Sequence, residues 1–307
     1  MSLYDKYRPK SLDEIMGNEG LVKDLAVFVE GRRPCPSAIL FTGPSGCGKT
    51  TLAKILAASL GCAPAELREL NSADDRGIDG IRQLIKEIQY KPLWGKTKVW
   101  ILDEAHKLTN DAQNALLKAL ESPPDYVYFI LCTTDPQQLL KTVLTRCSQF
   151  QVESLSLQDT KLLLRKISRA EGVHLEPEAM VNIAKLADGS ARQAISMLEI
   201  VLTREGDAQK GALANFAENE AQTKELCQAL LKTESWSRVS EILQGLKDEP
   251  ERTRRAVLGY MERVLLNPNS KTTAETAAMI MSHFTEPFFN SGKPGLTLAC
   301  YEVISGV

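Results

Sequence analysis

The sequence predicts an α/β domain built on a parallel sheet, followed by two all-helical domains. Three observations predict it. Short, continuous apolar runs alternate with helical patterns over the first half of the chain, as in a parallel sheet covered on both faces. A glycine-rich turn stands between the first of these runs and a helix. After about Glu153 the strand signals fade and amphipathic helical patterns take over.

"SAILFT" (Ser37–Thr42), "LREL" (Leu67–Leu70), "KVWILD" (Lys98–Asp103) and "YFILCTT" (Tyr128–Thr134) read as buried strands, and "QFQV" (Gln149–Val152) as a fifth. Between them Ile78, Ile81, Ile85 and Ile88 recur at helical spacing, with Arg82, Lys86 and Gln89 on the other side. "TNDAQNALLKALES" begins at a capping Thr109 or Asn110, turns Ala115, Leu116 and Leu120 to one face, and stops at Pro123-Pro124. Gly172 closes "LQDTKLLLRKISRAEG"; Pro177 opens the next helix and Gly189 follows it; "SARQAISMLEIVLTREG" is a third. The polar stretch Glu205 to Lys210 reads as a linker, and further helices lead to a Gly/Pro turn at "NSGKPG" and a final apolar segment. The expected domains are 1–153, 154–206 and 211–307.

At 307 residues the chain has ample length for such domains, and 43% hydrophobic with 25% charged residues is a globular profile. A net charge of −2 advertises no bulk affinity for nucleic acid, though a local patch could still supply it. The seven cysteines are scattered singly without a C-x-x-C pair, so neither a disulfide framework nor zinc is expected. No apolar run approaches a membrane span and "MSLYDKYRPK" lacks the core of a signal peptide, so a cytoplasmic location without membrane association is expected.

The glycine-rich turn is "GPSGCGKT", Gly43, Pro44, Ser45, Gly46, Cys47, Gly48, Lys49 and Thr50, which fits G-x-x-x-x-G-K-[ST] between a strand and a helix. Its glycines let successive backbone N–H groups turn around phosphate oxygens at the positive end of the helix. Lys49 reaches the β- and γ-phosphates of a nucleotide, and the Thr50 hydroxyl is a magnesium ligand. In "VWILDEAH", Asp103 closes a strand where its carboxylate would also hold magnesium, and Glu104 follows directly. A second carboxylate there suits the polarising of a water, which points to ATP hydrolysis. Alone, such an acidic pair would read as a helix cap.

Three blocks, "GPSGCGKTT", "VWILDEAHKLTNDAQNALLKALESPP" and "YFILCTTDPQQLLKTVLTRC", make the chain resemble the AAA+ ATPases of sliding-clamp loaders. The likeness is to the gamma/tau branch of bacterial DNA polymerase III, and "ELNSADDRGIDGIRQLI" also resembles the small subunits of replication factor C. It runs from about Tyr4 to Leu202; the remainder resembles the family's helical collar by position and helicity. The resemblance implies an AAA+ P-loop domain with a five-stranded parallel sheet, a helical lid and an all-helical collar. It implies that Tyr7, Arg8, Pro9, Ile15 and Met16 lie near the adenine, and that Thr51 joins the phosphate loop. Thr134, or its neighbour Thr133, takes the first sensor position, and Arg192 of "GSARQA" the second. Arg146 in "VLTRCSQF" has no obvious partner nearby; by resemblance it is an arginine finger supplied in trans to the ATP of a neighbouring subunit. DNA phosphates in this family meet helix N-termini and basic residues, which makes Arg76, Gly77, Arg82 and Asn110 the candidate contacts. Arg76 is also the candidate switch residue, holding Glu104 away from its water until DNA competes.

The implied partners are other loader subunits in a ring of the pentameric kind, a sliding clamp and primer-template DNA; the implied cofactors are ATP and Mg2+. The chain departs from the pattern at three points: Thr145 stands where serine is usual, only Cys62 remains of the gamma/tau zinc cluster, and no long tail follows the collar. These suggest a compact loader subunit. Two other functions compete, a DNA-remodelling motor of the Holliday-junction or replication-restart kind and a non-catalytic loader scaffold. "NALLKALESPP" and Arg146 followed by Cys147 speak against the first, and intact Lys49, Thr50, Asp103 and Glu104 against the second. The "DEAH" spelling alone would suggest a helicase, but no second ATPase core follows. His106 reads as a helix-start residue, His174 as a loop residue, Trp94 and Trp100 as packing residues, and Phe288-Phe289 as collar core ahead of an inter-subunit contact.

Overall fold

All five strands run parallel, because a helical segment separates each strand from the next and returns the chain to the same edge of the sheet. They are β1 (Ala38–Thr42), β2 (Cys62–Asn71), β3 (Thr97–Asp103), β4 (Val127–Thr133) and β5 (Ser148–Gln151), in the order β2-β3-β4-β1-β5. The computed structural model describes residues 2–72, 77–173, 175–203, 221–246, 250–266, 271–288 and 291–306. Arg76, His174, Phe289 and the expected linker Glu205 to Lys210 lie outside the described residues.

Both faces of the sheet are apolar, which is why its strands read as unbroken hydrophobic runs. Leu40, Trp100, Leu102, Phe129 and Leu131 point to one side, against α4 (Ile78–Glu87) and α5 (Asn110–Glu121). Ile39, Phe41, Val99, Ile101, Ile130 and Cys132 point to the other, against α2 (Glu19–Val29) and α3 (Lys49–Ser59). Side chains alternate with period two, so the register that pairs Leu40 with Leu131 and Ile101 with Ile130 sorts both faces at once. On α4 and its C-terminal cap, Ile81 and Ile88 of the expected apolar face are buried and Ile78 and Ile85 half-buried, Leu84 is buried beside them, and Arg82, Lys86 and, just beyond, Gln89 are exposed. Thr109, not Asn110, caps α5: its hydroxyl accepts the N–H of Ala112 at 3.2 Å.

β2 is longer than its apolar core, Leu67–Leu70. Its first residues are largely exposed, and a register shift separates Cys62 from Leu67, so pairing rather than burial extends this edge strand. Trp94 is not a packing residue; it is 65% exposed in the loop between α4 and β3, while Trp100 inside β3 is 6% exposed. A tryptophan packs only where an element covers it, and residue type could not show which of the two was covered.

The chain divides into two compact units, Met1–Thr203 and Arg204–Val307. The first holds the sheet together with α1 (Leu3–Lys6), α6 (Lys141–Leu144) and the three helices expected as a lid, α7 (Leu157–Ala170), α8 (Pro177–Leu186) and α9 (Ala191–Leu202). The second is helical throughout its described residues: a helix over 221–231 (α10), α11 (Trp236–Gly245), α12 (Pro250–Leu265), α13 (Lys271–His283) and α14 (Gly292–Ser305). Its core includes Leu226, Leu230, Val257, Ile280, Phe284 and Phe288. The turn expected at "NSGKPG" is shorter than the motif, since α14 starts at Gly292. Pro294 is tolerated there because N–H groups of a first helical turn have no intrahelical partner to lose.

Candidate active site

The carboxyl ends of β1, β3 and β4 converge at the point where the strand order reverses, the usual crevice of an open α/β sheet. The loop from Gly43 to Gly48 leaves β1 there and opens α3. Gly43 has φ +146°, and a Cβ on it would lie 2.0 Å from the Val152 carbonyl oxygen; Gly46 has φ +75° and lies against the first turn of α9. At Gly43 a side chain would run into backbone, and at Gly46 it would have to displace the Ser190 hydroxyl from left-handed backbone that glycine adopts most easily. Lys49 is 5% exposed, and its ammonium donates to the carbonyls of Gly43 (2.9 Å) and Pro44 (2.8 Å). The lysine is thus held along the loop whose N–H groups would cradle phosphate.

At the start of α3 the Thr50 hydroxyl donates to Asp103 Oδ2 at 2.8 Å, and the other carboxylate oxygen accepts the N–H of Glu104 at 3.0 Å. A hydroxyl and a carboxylate are hard oxygen donors, and so sparse a protein set suits Mg2+, which keeps most of its waters and draws other ligands from phosphate. Glu104 adopts a left-handed conformation, φ 49° and ψ 44°, a costly arrangement for a side-chain-bearing residue and one that concentrates at functional sites. It turns the carboxylate out of the β3 line, where Oε2 accepts from the Thr134 hydroxyl at 3.3 Å. Thr133 is fully buried and its hydroxyl serves His106 and the N–H of Asp135, so of the two threonines Thr134 is the one that meets Glu104.

A cavity of about 360 Å³ opens beside the loop, lined by Tyr7, Arg8, Pro9, Ile15, Met16 and, from the lid, Ile195. Its mixed apolar and basic lining suits a purine with phosphates at its mouth. The lid meets the loop directly: the Arg192 N–H points to the Gly46 carbonyl at 3.4 Å. The guanidinium groups of Arg192 and Arg8 each lie 5.0 Å from the centre of the Tyr4 ring, and both donate to its hydroxyl, at 3.3 and 3.1 Å. Burial raises the Tyr4 phenol, but the two arginines outweigh it and leave it below its ordinary value. For Arg192, burial is likewise outweighed, by Tyr4 and by the charges of Asp103 and Glu104, and its affinity for the proton rises.

Arg146 stands apart from this cavity, in the turn after α6. The expectation that it lacks a partner does not hold: its guanidinium donates to the Thr142 carbonyl at 3.0 Å and pairs with Glu121 at 3.4 Å. Glu121 ends α5, twenty-five residues earlier, too far along the chain to be seen as a neighbour. Among the DNA candidates, Gly77 is the N-cap of α4, Asn110 is the first residue of α5, and Arg82 is exposed and paired with Asp79 at 3.3 Å. All seven cysteines are free, and burial holds the thiols of Cys35 at about 11 and Cys147 at about 12.

Two residues of the site had no strong signal in the sequence. Tyr4 lies just before the Tyr7-Arg8-Pro9 segment, and nothing local ties it to Arg192. His106, read as a helix-start residue, is in a 3-10 turn (Ala105–Lys107) but does more than begin it: the ring is buried against Thr133. Its only signal was an ionisable group within the acidic motif.

Comparison with known proteins adds ancestry to this geometry. A family described as DNA polymerase III, delta subunit, matches residues 70–156. The tau/gamma subunit of DNA polymerase III from Haemophilus influenzae is 35% identical over 225 residues, 66% of this chain and 32% of that protein. The tau subunit of Escherichia coli is 34% identical over 66% of this chain and 35% of its own length, and that of Bacillus subtilis 33% over 68% and 41%. The chain spans about a third to two-fifths of the length of these curated relatives. In fold it is similar to Thermotoga maritima RuvB, a Holliday junction branch migration motor, with a TM-score of 0.59 and 22% identity over 78% of this chain and 86% of that one. A mutant form of the same RuvB aligns at a TM-score of 0.60 with 21% identity over 79% and 86%.

Proposed function

Because this chain belongs to the AAA+ ATPases of the clamp-loader family, we propose that it is an ATP-hydrolysing subunit of a loader that opens a ring clamp and closes it around primer-template DNA. The observation that carries the reading is the convergence of Lys49, the Thr50–Asp103 pair and the Glu104–Thr134 pair at one sheet edge, with lid residue Arg192 on the same loop.

In this reading the loop N–H groups and Lys49 bind the β- and γ-phosphates, and Tyr7, Arg8, Pro9, Ile15 and Met16 enclose the base. Thr50 and Asp103 hold Mg2+, which when bound offsets charge developing between the β- and γ-phosphates. Glu104 accepts a proton from the attacking water, and Thr134 keeps that carboxylate aimed while sensing the γ-phosphate. Arg192 leaves Tyr4 for the phosphates of its own subunit. Arg146, released from Glu121, enters the site of the next subunit; such a finger is worth about 10³- to 10⁵-fold, roughly 4 to 7 kcal/mol. The N-termini of α4 and α5, with Arg82, meet DNA phosphates, and the helical second unit joins the subunits. Arg76 as a switch on Glu104 is part of the same proposal.

The likeness to RuvB favours a branch-migration motor in fold only, whereas the relatives above 30% identity are polymerase subunits. A scaffold role is disfavoured because no catalytic side chain of the site has been replaced. The test is a mixing experiment. Lys49→Ala subunits should lose tight ATP binding. Rings mixed from Arg146→Ala and Glu104→Gln subunits should recover turnover wherever an intact finger faces an intact carboxylate. A mixed ring that forms yet recovers nothing would remove Arg146 from the trans role.

A further inference from the structure

His106 lies where no mechanistic role has been assigned. Its side chain is 5% exposed, and Nδ1 is 2.9 Å from Thr133 Oγ1 and 3.5 Å from Glu104 Oε2. Glu104 Oε2 is the atom that accepts from Thr134, and Thr133 Oγ1 is the atom that accepts the Asp135 N–H at 3.1 Å. One ring nitrogen therefore stands between the end of β4 and the carboxylate after β3.

The hydrogen-bond inventory favours one protonation of the ring. Thr133 Oγ1 accepts from Asp135 and has a second lone pair that could take a proton from Nδ1. Its own proton would then have no other acceptor among the hydrogen bonds of the described residues, so that proton is better given to an acceptor. Nδ1 within 2.9 Å is that acceptor if the imidazole is neutral with its proton on Nε2. In that form Nδ1 has no proton for Glu104, so the carboxylate is left to Thr134 and to water. A protonated ring would instead pair with Glu104 and take away the base. The charged groups that act on the ring are Glu104 and Lys107 from its own turn, Asp135 from the end of β4 and Lys49 from α3. Burial, with the two lysines, favours the neutral ring against the two carboxylates, and the net effect lowers its proton affinity.

We infer that His106 is a positioning residue for hydrolysis: its unprotonated Nδ1 takes the Thr133 proton, which fixes the strand end that carries Thr134, while withholding a donor from Glu104. The inference rests on the reading of Glu104 as the water-activating base. A leucine at 106 fills much of the volume without the acceptor, whereas an asparagine can bring its amide oxygen near the place of Nδ1.

The experiment measures single-turnover ATP hydrolysis and fluorescent-nucleotide affinity in the full chain. His106→Leu should lower the hydrolysis rate by about 10- to 100-fold with affinity kept within about twofold, and His106→Asn should restore much of it. In a Glu104→Gln background, His106→Leu should bring no further fall, as expected for residues acting through one another. Normal hydrolysis in His106→Leu beside a defective Glu104→Gln overturns the inference alone. So does an equal, multiplicative fall in both backgrounds. Normal hydrolysis in Glu104→Gln overturns the reading of Glu104 and this inference with it. Nitrogen NMR of the wild-type chain, whose three histidines are few enough to assign, is independent of activity. The Nε2–H tautomer is expected for His106 at neutral pH; an Nδ1–H tautomer or an imidazolium there overturns the inference.

Discussion

Each unit of the molecule has a glutamate at a decisive place, and the two are held in opposite ways. Glu251, in the second unit, has a side chain only 10% exposed, and its oxygens accept from both arms of Arg254, from Arg255 and from the Phe288 N–H. Burial would push its carboxyl up, but the hydrogen bonds from Arg254 and Phe288 and the charge of Arg254 outweigh it, and the group lies below its ordinary range. Glu104, in the first unit, is 35% exposed, sits on left-handed backbone and accepts from one threonine hydroxyl at 3.3 Å. A structural carboxylate has its lone pairs filled; one that must receive a proton keeps them open. Satisfaction separates the two more clearly than burial does.

That contrast can be broken by exchange of what each site loses. The largest effect should come from Glu104→Gln, with hydrolysis down about 10²- to 10⁴-fold while ATP binding and melting temperature stay near wild type. Single-turnover assays and thermal melts check it, and a large loss of stability would make Glu104 structural after all. Glu251→Ala should do the reverse. It leaves Arg254 buried without its carboxylate, at a cost on the order of 3 to 5 kcal/mol, with nucleotide affinity unchanged. Chemical denaturation measures the cost, and a loss under about 1 kcal/mol would equate the cluster with a surface pair.

The same cluster fixes a sign with pH. Since the folded state lowers the Glu251 pKa from 4.5, the unfolded chain takes up the proton first as pH falls. Its contribution is full above that ordinary value and is lost as pH falls through the lower folded value. Melting temperature should therefore drop more steeply below about pH 4.5 in wild type than in Glu251→Gln. The smallest effect should be that of Tyr4→Phe, which keeps the ring under both arginines but removes their shared acceptor. A loosening of α9 by about 0.5 to 1.5 kcal/mol, read by hydrogen exchange, is expected, with a larger one for Tyr4→Leu. Equal loosening in the two variants would leave the hydroxyl as the whole contact, and no loosening in either would mean that neither the ring nor the hydroxyl holds the lid.

Legibility followed distance along the chain. The phosphate loop, the Asp103-Glu104 pair and the helix caps are each written within a few consecutive residues, and the structure finds them at the expected ends of β1, β3 and α5. The five strands were readable because a sheet buried on both faces needs uninterrupted apolar runs. Trp94 was misread because composition does not reveal whether an element passes overhead. Arg146 was read without its cis partner for a like reason: Glu121 is a neighbour only after α5 and the turn beyond α6 are packed.

By itself, then, the sequence determined the elements and their chemistry, since backbone sterics and hydrophobic periodicity act between residues a few positions apart. Only the tertiary structure decided which of two adjacent threonines faces Glu104, that His106 lies between Thr133 and Glu104, and that Arg192 rests on Tyr4 across 188 residues of chain. Those contacts depend on where separate elements come to rest. Their geometry is set by the packing of many residues at once, and no local pattern encodes it.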